Sequence, residues 1–423
     1  MNKPAFSVEL PVRGGDFRVM SLVAFAHGTS HFFHLVIPSL FPWLMAEFNL
    51  SFTRAGTLTT AFFVVSGIGQ AAAGFAVDRY GAQKVLSAGL ALLALSALAL
   101  ASAQGYPALV AAAVLAGAGN AVFHPADFTV LNRRVSTARL GHAFSAHGVA
   151  GNVGWGVAPV LMAAIASAAG WRTAALAAAA LGFVALAAVV LLRGNLSAPA
   201  PAHAAGASHA ADRTSPFAFL RVGAVWMCFF FFLASTMGVS ALQNFAPSVL
   251  NHVYGLPLTV AASALTTYLL GGAAGIAAGG FLAARYEAHE RVVAVLLVMA
   301  AAMALVLASG GVPPITVTPL MAIFGFCTGT ATPSRDLLVR RAAMDRFGQR
   351  SFGRIYGFVY SGLDAGLSVA PVLFGPLLDR GMFPSVLYGV ALFQALAVVA
   401  ALRVGHARLE SAAAAAVQPE SRA

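Results

Sequence analysis

Long apolar runs alternate with short polar stretches along this chain. Twelve runs are long enough to predict membrane-spanning helices: 19–45, 55–77, 84–104, 107–131, 141–167, 171–193, 221–248, 258–284, 290–310, 314–339, 353–377 and 384–404. About 20 apolar residues in a helix cross the hydrocarbon layer and satisfy every backbone group internally. The polar remainder divides the chain. Residues 1–18 form a basic tail, 19–193 a first six-helix bundle, 194–220 a linker rich in Ala, Pro, Ser and His, 221–404 a second six-helix bundle, and 405–423 a short Ala-rich tail.

The two bundles repeat one another. From Gly141 the chain reads GHAFSAHGVAGNVGWGVAPVL, and from Gly353 it reads GRIYGFVYSGLDAGLSVAPVL. At this constant spacing Gly154 falls opposite Gly366, Asn152 opposite Asp364, and Val157 to Leu161 opposite an identical Val369 to Leu373. In the segment before it, Pro125 falls opposite Pro333, and Asp127 opposite the pair Arg335 and Asp336. A repeat of this length, in the same order in each half, predicts a duplicated all-α membrane fold.

Composition agrees. Hydrophobic residues are 59% and charged residues 9%, with a mean hydropathy of +0.82, which excludes an ordinary soluble domain. The net charge of +11 does not imply a nucleic-acid partner, because the basic residues sit in short loops between apolar runs. Of the 25 Lys and Arg, Arg54, Arg172 and Arg380 fall on one side and Arg335 within a span, leaving 21 on the side of both tails. The positive-inside rule then makes both termini cytoplasmic. No cleavable signal peptide is expected in residues 1–18, and Cys228 and Cys327 read as small buried hydrophobes.

After the second span the chain reads Gly74-Phe-Ala-Val-Asp78-Arg79-Tyr80-Gly81-Ala-Gln-Lys84. This resembles the loop signature of the major facilitator superfamily. The matching place in the second half, Gly280 to Tyr286, keeps a glycine and Arg285 but has Ala284 where the acid would stand. Val122-Phe123-His124-Pro125, Ser30-His31 and the Gly148 to Pro159 region are similar to the fosmidomycin-resistance-type drug exporters of that superfamily. The resemblance implies two six-helix halves rocking about a central cavity, and a latch at Gly74, Asp78, Arg79, Gly81 and Lys84. In that reading Gly74 permits close helix approach, and Asp78 caps the next helix or pairs with a neighbouring base. The fifth span also resembles the exporters' glycine-proline motif, with Ala158 where a glycine is expected. Close packing and a bend explain that run equally well, since the eleventh span shares it.

Polar residues within the apolar runs are the candidates for chemistry. His27, His31 and His34 recur at i, i+4, i+7 and share one helical face. They suit proton transfer, binding of an anionic group, or hydrogen bonding across helices. A metal is the weakest of these readings, because no acid or cysteine stands nearby in sequence, and none is expected. His124 and Asp127 flank Pro125, which should bend the helix. Asp127 reads as a proton carrier or as the partner of Arg335, and Asp364, set among glycines, reads as a second carrier. His31 is the third proton-coupling candidate. His124, Asn152, Gln243, Asn244 and Arg335 join the three first-span histidines as candidate substrate contacts. The expectation is a secondary transporter, not an enzyme, in the inner membrane of a bacterium. It works as a monomer, without cofactor, and exports a small amphiphilic or anionic compound against protons. The alternative is a proton symporter importing an organic acid or metal chelate. A membrane-embedded enzyme or a non-transporting sensor lacks the motifs or domains it would need.

Overall fold

The structure is a computed structural model in which residues 13–136, 139–196, 223–347 and 352–416 are described. Residues 197–220, most of the expected linker, lie outside them, as do the tail residues 1–12 and 417–423. The described residues are helical almost throughout. In chain order the helices are α1 (Arg13–His34), α2 (Val36–Ser39), α3 (Phe41–Phe48), α4 (Phe52–Tyr80), α5 (Ala82–Ala101), α6 (Tyr106–Asn120), α7 (Phe123–Arg134), α8 (Leu140–Ala169), α9 (Trp171–Leu191) and α10 (Arg193–Leu196). The second half contains α11 (Gly223–Tyr254), α12 (Leu258–Arg285), α13 (His289–Ala308), α14 (Pro314–Phe347), α15 (Phe352–Asp379) and α16 (Pro384–Ala416).

Among the described residues, 10 helical segments are long and apolar enough to cross a membrane. An eleventh counts if α4, bent by 54° between Gln70 and Ala72, is one span. The expected first span, 19–45, is not one helix. It is broken into α1, α2 and α3, with Pro38 inside α2 and Pro42 in the first turn of α3. The fourth span is broken too, between Asn120 and Phe123. Pro125 lies in the first turn of α7, where its ring would collide with the carbonyl of residue 121 in a continuous helix. Its counterpart Pro333 lies inside an unbroken α14.

The repeated glycines explain the shared packing of the two halves. A Cβ at Gly154 would stand 2.1 Å from the Gly28 carbonyl oxygen, so α8 lies directly on α1. A Cβ at Gly366 would stand 2.7 Å from the Leu233 carbonyl oxygen, which sets α15 on α11 in the same manner. The neighbouring pairs match as well: Gly117 of α6 meets the Phe62 backbone of α4, and Gly325 of α14 meets the Tyr268 backbone of α12. Small residues at these crossings let backbones approach within van der Waals range, the main source of attraction between helices in lipid.

The bonds that join the halves gather at one end. The Asp379 carboxylate at the end of α15 accepts from Phe52 N at 2.5 Å, Thr53 N at 3.0 Å and Thr53 Oγ1 at 2.5 Å, and so caps the start of α4. Thr60 donates to the Ser368 carbonyl at 2.7 Å, and Thr59 to Asn244 Oδ1 at 2.6 Å. Phe52 packs edge-on against Phe245 and Phe383 at the same end.

Candidate functional site

Beneath this closed end a cavity of about 410 Å³ lies between the halves. His27, His31, His124, His147, Asn152 and Trp155 line it from the first half. Thr236, Tyr268, Thr328, Arg335 and Gln394 line it from the second, with Phe128 and Phe231 adding apolar surface. The volume is ordinary for a small-molecule pocket, and the mixture of rings with a few polar groups is what such a pocket needs.

Most of the polar chemistry comes from α1, α7 and α8. Asp127 is fully buried, and its Oδ2 accepts from His27 Nδ1 at 3.1 Å and from His147 Nε2 at 3.2 Å. The two imidazoles stack with centroids 3.4 Å apart. Oδ1 of Asp127 has no hydrogen-bond partner among the described residues. Arg335 therefore does not pair with Asp127. It lies over the Phe232 ring instead, with its guanidinium carbon 4.6 Å from the centroid. The fold supplies a nearer partner for each: imidazoles on the adjacent helices for the acid, and an aromatic face of α11 for the cation. The side chain of Asp336 lies outside the described residues.

These bonds assign ring protons. An imidazole that donates through one nitrogen while neutral keeps a lone pair on the other. His27 donates through Nδ1 to Asp127, and His124 donates through Nδ1 to Gln70 Oε1 at 2.9 Å. His31 is different: its Nδ1 is buried and without a partner among the described residues.

His34, although on the same helical face, is taken up structurally. Its Nδ1 accepts from Trp155 Nε1 at 3.1 Å and its Nε2 donates to Asn120 Oδ1 at 2.9 Å. Asn120 also accepts from Ser30 at 2.6 Å and donates to Ser66 at 2.8 Å, so this network is closed and lies off the cavity. Gln243 and Asn244 are buried and do not line the cavity either. Asn244 spends its amide on Ser240 and Thr59, binding the halves together. Asn152 does face the cavity, its amide donating to the Gly148 carbonyl at 2.9 Å. Asp364 sits off the cavity on α15, packed against Gly67 of α4, and its carboxylate has no hydrogen-bond partner among the described residues.

The loop motif differs from expectation at two residues. A Cβ at Gly74 would meet nothing within 4 Å, so no close helix approach is made there. Asp78 is exposed and neither caps α5 nor pairs with a base among the described residues. Both lie at the end of α4 opposite the Asp379 contact. Gly81 does turn the chain between α4 and α5, at a φ of 87° that only glycine adopts without strain.

Sequence reasoning passed over His147, Gln70 and Asp379. His147 carried the same signal as the first-span histidines, a titratable ring inside an apolar run. Gln70 and Asp379 stand near the ends of their spans, where polar residues are common, and only the fold shows what they touch. The expectation that no acid accompanies the α1 histidines held along the chain but not in space, because α7 brings Asp127 to His27.

Comparison with known proteins places the chain in a family. The family model for the Major Facilitator Superfamily matches residues 20–343. The fosmidomycin resistance protein of Escherichia coli (strain K12) is 31% identical over 150 residues, which span 36% of this chain and 37% of that protein. An uncharacterized MFS-type transporter of Bacillus subtilis (strain 168), YfnC, is 26% identical over 91% of this chain and 92% of its own length. Among solved structures, a bacterial homolog of the human lysosomal transporter Spinster, inward-facing and unoccupied, matches with a TM-score of 0.75 at 13% identity. It covers 94% of this chain and 98% of that one. The nucleoside transporter NupG matches with a TM-score of 0.72 at 12% identity, covering 92% and 99%.

Proposed function

From the premise that this chain belongs to the major facilitator superfamily and has the fold of a secondary transporter, we propose that it exports a small amphiphilic or anionic compound in exchange for protons. It does so as a single chain in a bacterial inner membrane, with both termini cytoplasmic. One observation carries this reading: the cavity between the halves has carboxylate-backed imidazoles in one wall and a guanidinium in the other. The guanidinium of Arg335 attracts an anionic group of the cargo, and the rings of Phe128, Trp155, Phe231 and Tyr268 hold its apolar part.

The proton path runs through Asp127, His27 and His147. A carboxylate sharing one oxygen between two imidazoles exchanges a proton with either ring over a hydrogen-bond distance, and His27 and His147 both open on the cavity. Asp364, at the contact between α4 and α15, is a second carrier, where protonation would change how the halves adhere. With both tails cytoplasmic, the end closed by Asp379 is periplasmic and the conformation is inward-facing, the state in which an exporter loads. The kinship with a fosmidomycin resistance protein supports the outward direction.

The test is cargo-dependent proton flux in proteoliposomes of known orientation, screened with amphiphilic anions under an imposed pH gradient. Cargo and proton moving in opposite directions supports the proposal. Movement in the same direction assigns the import alternative, and absence of any cargo-dependent proton movement contradicts coupling.

A further inference from the structure

Three of the four histidines that open on the cavity, His27, His31 and His124, have the makings of a metal site. A ring nitrogen of each of His27, His31 and His124 lies within 4.8 Å of the others. A second group, His27, Asp127 and His147, meets the same distance criterion but has its atoms engaged with one another. In the first group the bonds already described leave nitrogens to give. His27 has Nδ1 fixed on Asp127 and His124 has Nδ1 fixed on Gln70, so each keeps Nε2. A carboxylate or amide oxygen holding the far nitrogen is how proteins orient an imidazole that ligates a metal. The buried Nδ1 of His31 has no partner among the described residues.

The backbone leaves room for convergence at one point. A Cβ at Gly151 would stand 2.7 Å from His31 Nδ1 and 3.1 Å from His27 Nε2, so any larger residue on this turn of α8 would occupy the space the two nitrogens face. Three neutral imidazoles around an open space suit a late first-row divalent ion such as zinc, nickel or cobalt, and suit magnesium or calcium poorly. Three protein ligands also leave coordination positions for donors brought by the cargo.

We propose that His27, His31 and His124 bind a late first-row transition-metal dication, and that this ion is cargo, bare or held by a small anionic chelator. This rests on the reading of the cavity as the cargo site. Asp127 and Gln70 are positioning residues for the two outer imidazoles. Arg335, in the facing wall, is placed to receive the chelator's negative charge.

The purified full-length chain in detergent is titrated with Co²⁺, alone and with equimolar citrate, and followed by calorimetry and by the visible ligand-field bands of Co²⁺. The expectation is one saturable ion per chain with bands of nitrogen ligation. His31→Ala and His124→Ala abolish it, and Gln70→Ala weakens it about 10–100-fold, the usual cost of losing an orienting partner. Gly151→Ala keeps every ligand and also abolishes it. Tighter binding with citrate assigns the chelate as cargo, and tighter binding without it assigns the bare ion. Thermal melting of each variant in the absence of metal identifies any that fail to fold, and the comparison is made on those that do. A folded parent protein with no saturable binding, or His31→Ala and Gly151→Ala binding as the parent does, overturns the proposal. Cargo-dependent proton flux in a chain that binds no metal would overturn the metal site and leave the transport reading standing. Stoichiometric metal binding without transport would do the reverse.

Discussion

In the first half, His27 of α1 touches Asp127 of α7; in the second, Phe232 of α11 touches Arg335 of α14. These are the same two places in the repeat. Gly154 meets Gly28 and Phe32, and Gly366 meets Leu233 and Met237, so α1 and α11 correspond at a spacing of 205 (233 − 28 and 237 − 32), which carries 27 onto 232. Gly117 and Gly325 correspond at 208 (325 − 117), which carries 127 onto 335. The duplicated halves have thus kept the helix crossings and inverted the chemistry between them. One wall holds an acid among imidazoles, the other a base over a ring. An acid and a base at equivalent places cannot do the same work, and the proposed function gives the cavity's proton exchange to the first-half wall and anion recognition to the second.

The shared part of the comparison is broken by filling its glycines. Gly154→Val and Gly366→Val each force a side chain into a backbone carbonyl across a helix crossing, and overpacking of this kind costs about 1–3 kcal/mol or more. Both variants are expected to lose most folded protein by size-exclusion chromatography and to melt at lower temperature. A well-folded Gly366→Val would mean that the second half is packed differently from the first.

Arg335→Gln sharpens the contrast between the walls. Removing a charged donor to an anion costs about 1.5–3 kcal/mol, or about 10–150-fold in affinity. The expected result is weaker binding of anionic cargo, while a neutral analogue binds as before. An equal loss for charged and neutral cargo would deny the second half its role.

Asp379→Asn acts on the contact that ties the halves together. Losing a carboxylate cap on a helix start costs about 0.5–2 kcal/mol, which shifts the balance between open and closed states of that end about 2–30-fold. A cysteine at Thr60 should become more reactive towards a thiol reagent by a factor in that range. Unchanged reactivity would remove Asp379 from the gate.

Much of this was legible along the chain. Helical spans, duplication and the loop motif are local patterns, and apolar runs with a repeated glycine-proline segment mark them without reference to tertiary structure. The breaks after His34 and Asn120 were less so, since proline signals a bend but not whether neighbouring helices straighten it, as they do around Pro333. The site was half visible. His27, His31, His124, Asp127, Asn152 and Arg335 all stood out as polar residues in apolar runs, yet so did His34 and Asn244, which hold helices together, and Gln243, which is buried away from the cavity. Nothing in one dimension separates the two groups, because the difference is where the folded helices place each side chain relative to the cavity. The pairing of Asp127 with Arg335 was inferred from equivalent positions in a repeat, but equivalent positions sit in opposite walls. His147, from a segment quoted for its glycines, supplied the second imidazole.

The division of labour is tested most directly by measuring transport with and without a pH gradient in Asp127→Asn, beside Asp364→Asn, in proteoliposomes. Asp127→Asn is expected to keep cargo exchange under equal concentrations and equal pH, and to lose accumulation driven by the gradient, with a melting temperature near that of the parent protein. Full gradient-driven transport in both variants would contradict the account and move the proton to the histidines alone.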